Sequence, residues 1–321
     1  MAFSWDDRIR RAAELKREYP FAREVLEFYR AVADYQKDLY LRLINSPEGA
    51  PAHSPGCKPL VGKGPLTSPV RAAKDSVVPP FLGSSQDEPA TAGSHPWLCA
   101  DPPSAGFWKG HFRSFLSFVE QVGTPELAAL AGQLLHSEEK DVANRLLESY
   151  WRGDLDADHF QEGPALFFFP KTFLQPYAER LVADDHQNSQ PEHGQWRVQE
   201  GGRAVCPVCE HPPQLATLRP EGEGALRSLL CSLCATEWRY KRVCCPACGE
   251  QTFSKLSYSR AQSFPHIRVD LCESCKSYIK TIDQTIDGRA VPVVDEIAAL
   301  PLDLWAVEQG YTKIELNLVG M

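Results

Sequence analysis

Eight cysteines in the C-terminal third of the chain form four C-x-x-C pairs: Cys206-Pro-Val-Cys209, Cys231-Ser-Leu-Cys234, Cys245-Pro-Ala-Cys248 and Cys272-Glu-Ser-Cys275. Two thiolates presented by one tight turn can reach one metal ion, and backbone N–H groups of that turn can donate to the sulfurs and stabilise their charge. Two such turns complete a tetrahedral site. Twenty-one residues separate the first pair from the second and twenty-three the third from the fourth, against ten between the second and third. The repeated interval predicts two successive ribbon-like units, pairs one and two together, then three and four. A cross-braced arrangement, one with three and two with four, satisfies the same residues. Four thiolates serve zinc and a single iron ion almost equally well: a zinc site would be closed and structural, whereas mononuclear iron could pass one electron. A thioredoxin-like redox pair needs a βαβ setting, which this segment lacks. Cys244, beside the third pair, reads as a surplus bystander, and Cys57 and Cys99 have no ligand spacing.

Other chemistry finds little footing. Asp154, Asp156 and Asp158 alternate like the opening of a calcium loop, but His159 stands where that loop needs Gly and Ala165 where it needs Glu, so a solvated helix end is the better reading. Between Cys206 and Cys275 eight Lys or Arg face seven Asp or Glu, and the cluster Arg239, Lys241 and Arg242 reads as an exposed strand edge. Trp238, Tyr240, Phe253 and Tyr258 are expected to cover the metal sites rather than stack on bases. No Walker loop, Rossmann glycine pattern, H-E-x-x-H or nucleophile elbow occurs, so no catalytic residue is named and the expectation is a protein that is not an enzyme. The net charge of -8 and pI near 5.6 offer no field for phosphate backbones, and nucleic acid is not expected as a partner. A polar, charged Met1 to Arg10 and the lack of any long apolar run predict a soluble cytoplasmic chain without membrane insertion.

The elements around the cysteines follow from periodicity. At 321 residues the chain has length for two domains. Residues 5–45 read as two helices separated by Pro20, with Val25, Tyr29, Val32, Leu39 and Leu43 on one stripe. Twelve of the twenty-six prolines fall between Pro47 and Pro103, which predicts a long irregular insertion. Helices resume at Phe112 to Val122, after the Thr124 cap with Pro125 at the first position, over about Glu138 to Tyr150, and over about Lys171 to Val182, where Pro176 marks a kink or a first turn. The expected class is α+β: an all-α domain over 1–185 with the irregular insertion at about 47–103, a linker over 186–204, tandem four-cysteine ribbons over 205–293, and a C-terminal helix and tail over 294–321. Short strands are expected at Leu226 to Leu230, Trp238 to Val243, Phe253 to Tyr258 and His266 to Leu271, each ribbon forming its own small antiparallel sheet that depends on its metal. Ile297, Leu300, Leu304 and Val307 give the apolar stripe of the final helix.

The order of the four pairs, with Cys231-Ser-Leu-Cys234-Ala-Thr-Glu-Trp238 at its centre, resembles the formate dehydrogenase accessory protein family of bacteria. The likeness extends to Arg8-Ile9-Arg10-Arg11-Ala12-Ala13, to Leu26 to Gln36, to Phe173-Leu174-Gln175-Pro176-Tyr177-Ala178 and to the Ala298 to Tyr311 tail. The resemblance implies a cytoplasmic accessory protein needed for active respiratory formate dehydrogenase. It would bind the molybdenum-containing catalytic subunit before export and hold iron in two mononuclear, rubredoxin-like sites, with zinc as the alternative. The eight family cysteines map onto Cys206, Cys209, Cys231, Cys234, Cys245, Cys248, Cys272 and Cys275; Cys244 departs from the pattern. Readings of other classes are a rubredoxin-like electron carrier and a structural zinc-ribbon interaction module.

Overall fold

The computed structural model describes residues 4–45, 105–137, 142–152, 163–188 and 203–320. The proline-rich segment 47–103 and the Asp154, Asp156, Asp158 run lie outside the described residues.

Helix α1 (Trp5–Glu18) opens on a capping box in which Ser4 Oγ accepts from the Asp7 N–H at 3.1 Å while Asp7 accepts from the Ser4 N–H at 3.2 Å. Pro20 ends it, starting a 3-10 turn that leads into α2 (Arg23–Asn45). Tyr29, Val32, Leu39 and Leu43 are buried along α2, and Val25 is half-buried. Helices α3 (Ala105–Val122), α4 (Pro125–His136, capped by Thr124) and α5 (Val142–Trp151) bring Phe112, Phe115, Leu116 and Leu147 into an aromatic-rich core.

Helix α6 starts earlier than the sequence suggests and runs longer, over Phe168–Asn188, with Pro176 in its interior. A proline there has no N–H for the carbonyl four residues back. That carbonyl, on Thr172, instead accepts from Gln36 Nε2 of α2 at 2.7 Å, so the break in the ladder becomes a bond between two helices.

The two cysteine units do not form separate sheets. Strands β1 (Pro213–Glu221), β2 (Gly224–Cys231) and β3 (Glu237–Arg239) belong to the first; β4 (Leu256–Arg260), β5 (Ile267–Cys272) and β6 (Ser277–Asp283) belong to the second. All join one sheet of order β3-β2-β1-β6-β5-β4, in which β1 and β6 meet in parallel through Ala216–Thr281, Thr217–Ile282 and Leu218–Asp283. The short β7 (Thr312–Lys313) extends that edge of β6, also in parallel. The β1–β2 turn needs a positive φ, supplied by Gly222 at +55°.

The tail expected as one helix is two, α7 (Pro292–Ala298) and α8 (Leu300–Glu308), broken at Ala299. The expected stripe holds for Ile297, but Leu304 and Val307 face solvent, and Leu302, Asp303 and Ala306 are the buried residues of α8. Asp303 goes inward because it accepts from Tyr278 Oη at 2.9 Å and Lys280 Nζ at 2.5 Å. Leu302 and Ala306 pack with Val269, Leu271 and Ile282 on one sheet face. On the other, Ala216, Leu229 and Ile279 join the core built by α2, α3, α5 and α6.

Candidate metal centres

Each cysteine turn is built the same way. The residue following the second cysteine has a positive φ in all four: Glu210 at 60°, Ala235 at 53°, Gly249 at 77° and Lys276 at 55°. This left-handed step folds the turn back, and the N–H of Glu210, Gly249 and Lys276 donates to the carbonyl of the first cysteine of its pair, at 3.0, 2.9 and 2.9 Å. Three of the four positions are not glycine and carry a steric cost of about 1 kcal/mol each. The reversed turns aim amides at sulfur: Val208 N–H donates to Cys206 Sγ at 3.4 Å, and Leu233 and Cys234 N–H to Cys231 Sγ at 3.4 and 3.5 Å.

The turns meet sequentially and are not cross-braced. Cys206, Cys209, Cys231 and Cys234 form one cluster and Cys245, Cys248, Cys272 and Cys275 the other, with the sulfurs of each within 4.8 Å of one another. In the first, Cys206–Cys234, Cys209–Cys231 and Cys209–Cys234 stand 3.6, 3.2 and 3.5 Å apart; in the second, Cys245–Cys275 and Cys248–Cys272 are both at 3.7 Å. A tetrahedral ion with bonds of about 2.3 Å sets its sulfurs about 3.8 Å apart, so both clusters have the size and donor set for a thiophilic metal.

Within each cluster the thiols shift one another in opposite directions. Burial raises the Cys206 pKa, but donations from the neighbouring cysteines outweigh it and hold the thiol well below its ordinary value. Burial, with Cys206, pushes Cys209 up. In the second cluster the Cys245 contact pulls Cys275 down to about 4, while Cys245 is pushed up by Cys275 and by burial. Neighbouring thiolates repel, and a cation among them favours ionisation of all four.

The surroundings of the clusters differ. All four cysteines of the first are buried, packed with Trp238 and Tyr240 in the same core as the helices. Gln175 Nε2 of α6 donates to the Ser232 carbonyl inside the second turn at 2.9 Å, and the Tyr150 ring of α5 lies tilted against His211, ring centroids 5.4 Å apart. In the second cluster Cys248 is exposed and Cys275 half-buried. The aromatic cover expected there is absent: Tyr258, on the outer strand β4, and Phe253, in the 3-10 turn that leads into it, are 62% and 80% exposed. Cys244 is buried outside both clusters, its sulfur 3.3 Å from Tyr240 Oη. Arg239, at the β3 edge, pairs with Glu221 at 2.6 Å. Sequence reasoning missed Gln175, His211 and the left-handed residues; only Gly249 carried a local signal.

A family model described as "FdhE, central domain" matches residues 205–242, and one described as "FdhE, C-terminal domain" matches 241–319. A protein named "Protein FdhE homolog" from Aquifex aeolicus is 33% identical over 216 residues, covering 65% of this chain and 69% of that relative. The chain belongs to the FdhE family. A homolog of the same name from Pseudomonas aeruginosa is 35% identical over 127 residues, or 38% of this chain and 41% of the relative. The fold is also that of the crystal structure of the FdhE protein from Pseudomonas aeruginosa, at TM-score 0.55 and 24% identity over 99% of this chain and 97% of that one. The family is the one whose cysteine order and flanking blocks this sequence resembles. Among the described residues, no helix is long and apolar enough to cross a membrane.

Proposed function

We propose that this protein is an accessory factor for the formation of active formate dehydrogenase, acting in the cytoplasm, binding the catalytic subunit and holding one iron ion in each four-cysteine cluster. The observation that carries the reading is the gathering of eight thiols, on a chain of this family, into two tetrahedron-sized groups. Cys206, Cys209, Cys231 and Cys234 would hold one ion, and Cys245, Cys248, Cys272 and Cys275 the other. A bound ion would supply charge compensation for the thiolates and, as iron, a one-electron couple.

The role of the metal differs between the centres. At the first, it orders the contact between sheet and helices, since its cysteines belong to the helical core. At the second, exposure of Cys248 favours a subsidiary reading, electron transfer, because a surface ligand gives a short path to a partner. A structural zinc module is the remaining alternative. The deciding experiment is anaerobic purification without a metal-affinity tag, followed by quantification of iron, zinc and co-purifying polypeptides in one sample. About two irons per chain with retained catalytic subunit supports the proposal; about two zincs and no dehydrogenase overturns it in favour of a structural module.

A further inference from the structure

The second unit presents an open flank. β4 pairs with β5 on one side, and among the described residues no strand pairs with its other side. The Lys255 carbonyl accepts from the Glu273 N–H at 2.9 Å. Inward-bonding residues therefore alternate through 255, 257 and 259, and the backbone groups of Tyr258 and Arg260 point to the open edge. An uncovered edge of this kind is a template for another extended chain.

A cavity of about 250 Å³ adjoins this strand, bounded by Val243, Cys245, Phe253, Tyr258 and Cys272. Its charged lining is Arg227, Arg242 and Arg268 against Asp270 alone. Asp270 is already committed, accepting from Arg227 at 3.1 Å and from Thr281 Oγ1 at 2.8 Å. Arg227 is buried, and its Nε–H lacks an acceptor. The cavity is therefore apolar, with a net positive lining.

We propose that this flank docks an extended segment of the partner polypeptide that carries an acidic and an apolar side chain. The segment adds a strand to β4, its apolar side chain packs on Phe253 and Tyr258, and its carboxylate meets Arg242, the lining arginine that Asp270 does not pair. This rests on the reading above that the protein binds the dehydrogenase catalytic subunit. A polypeptide fits better than a free small anion, because only a polypeptide can use the strand edge. Nucleic acid fits worse, since Arg260 and Arg268 beside Tyr258 are paired with Asp283 and Asp270, each at 2.8 Å.

The test uses the metal-loaded full chain and purified catalytic subunit, with Tyr258→Glu compared against Val307→Glu. Val307 is similarly exposed, on α8, which packs on the opposite sheet face. Tyr258→Glu is expected to weaken binding about tenfold or more with metal content unchanged, and Val307→Glu to leave it unaltered. In the wild-type complex, hydrogen exchange of the Tyr258 and Arg260 amides is expected to slow. Wild-type binding with unprotected edge amides, or undiminished binding by Tyr258→Glu, overturns the docking site and leaves the accessory reading standing. No binding by the wild type overturns both. A dimer of the protein alone that Tyr258→Glu dissociates assigns the edge to a second copy and overturns the partner segment.

Discussion

Gln175 on α6 donates through Nε2 to the backbone carbonyl of Ser232, the residue between Cys231 and Leu233, at 2.9 Å. Its own Oε1 accepts from Gln36 of α2 at 3.0 Å, so two helices and one cysteine turn share a buried line of hydrogen bonds. Replacing Gln175 by Ala strands the Ser232 carbonyl and is expected to cost about 1–3 kcal/mol. Chemical denaturation measures the loss, and metal analysis after dialysis is expected to show depletion at the first centre only.

Serine in place of Cys206 or of Cys245 is expected to lower the metal content from about two ions per chain to about one in each case. The structural consequences are expected to differ. Cys206 lies in the core shared with α3, α5 and α6, so its loss disturbs near-UV circular dichroism of the buried aromatics, whereas Cys245→Ser leaves that signal largely intact.

Exposure predicts the order in which a chelator strips the two sites. Cys248 is open to solvent and every ligand of the first cluster is buried. Release into a chromogenic chelator is expected to be biphasic, the fast phase being absent from Cys245→Ser and the slow phase from Cys206→Ser.

Arg11 of α1 grips Asp295 of α7 with two bonds, Nε at 3.0 Å and Nη2 at 2.6 Å, and Asp295 also faces His266 Nε2 at 2.9 Å. Removing one partner leaves a buried charge uncompensated, so Arg11→Ala is expected to destabilise by about 3–5 kcal/mol. Urea midpoints of Arg11→Ala, Asp295→Asn and the double variant give the coupling.

Acid should weaken the fold through Glu296. Burial raises its pKa, but Lys280 and Lys313 outweigh burial and hold the carboxyl down to about 2. The unfolded value is about 4.3, so its stabilisation is full above that pH and fades as pH falls toward the folded value. The amount at stake is about 3 kcal/mol. Burial pushes Lys280 below its ordinary value, and the Glu296 carboxylate 2.9 Å away opposes that shift. Urea unfolding at a series of pH values is expected to give Glu296→Gln a lower neutral stability and a flatter acid limb than the wild type.

The thiol groups were legible in the sequence because a C-x-x-C turn is local, and its two long intervals matched. The first helices were legible for the same reason, with Pro20 and the Thr124-Pro125 step acting within a turn. What escaped was set at a distance. β1 and β6 lie in mid-sheet and are buried along most of their length, so neither shows the alternation that marks a half-exposed strand. Pro176 reads locally as a kink or a first turn because its compensating donor, Gln36, is 136 positions from Thr172 in the chain. The apolar stripe places Leu304 inward, but the buried ammonium of Lys280 draws in Asp303 and leaves Leu304 to solvent.

The parallel seam between β1 and β6 also sets an order of events at the ribosome. Residues up to 239 can emerge and form the β1–β2–β3 meander, yet the inner edge of β1 has no neighbour until Asp283 is made. Through that interval the nascent chain carries an open strand edge at what becomes the centre of the sheet. A stop codon in the third or fourth cysteine turn therefore leaves an unclosed first unit prone to pairing with other strands, so translation through Asp283 is itself a condition for closing that edge.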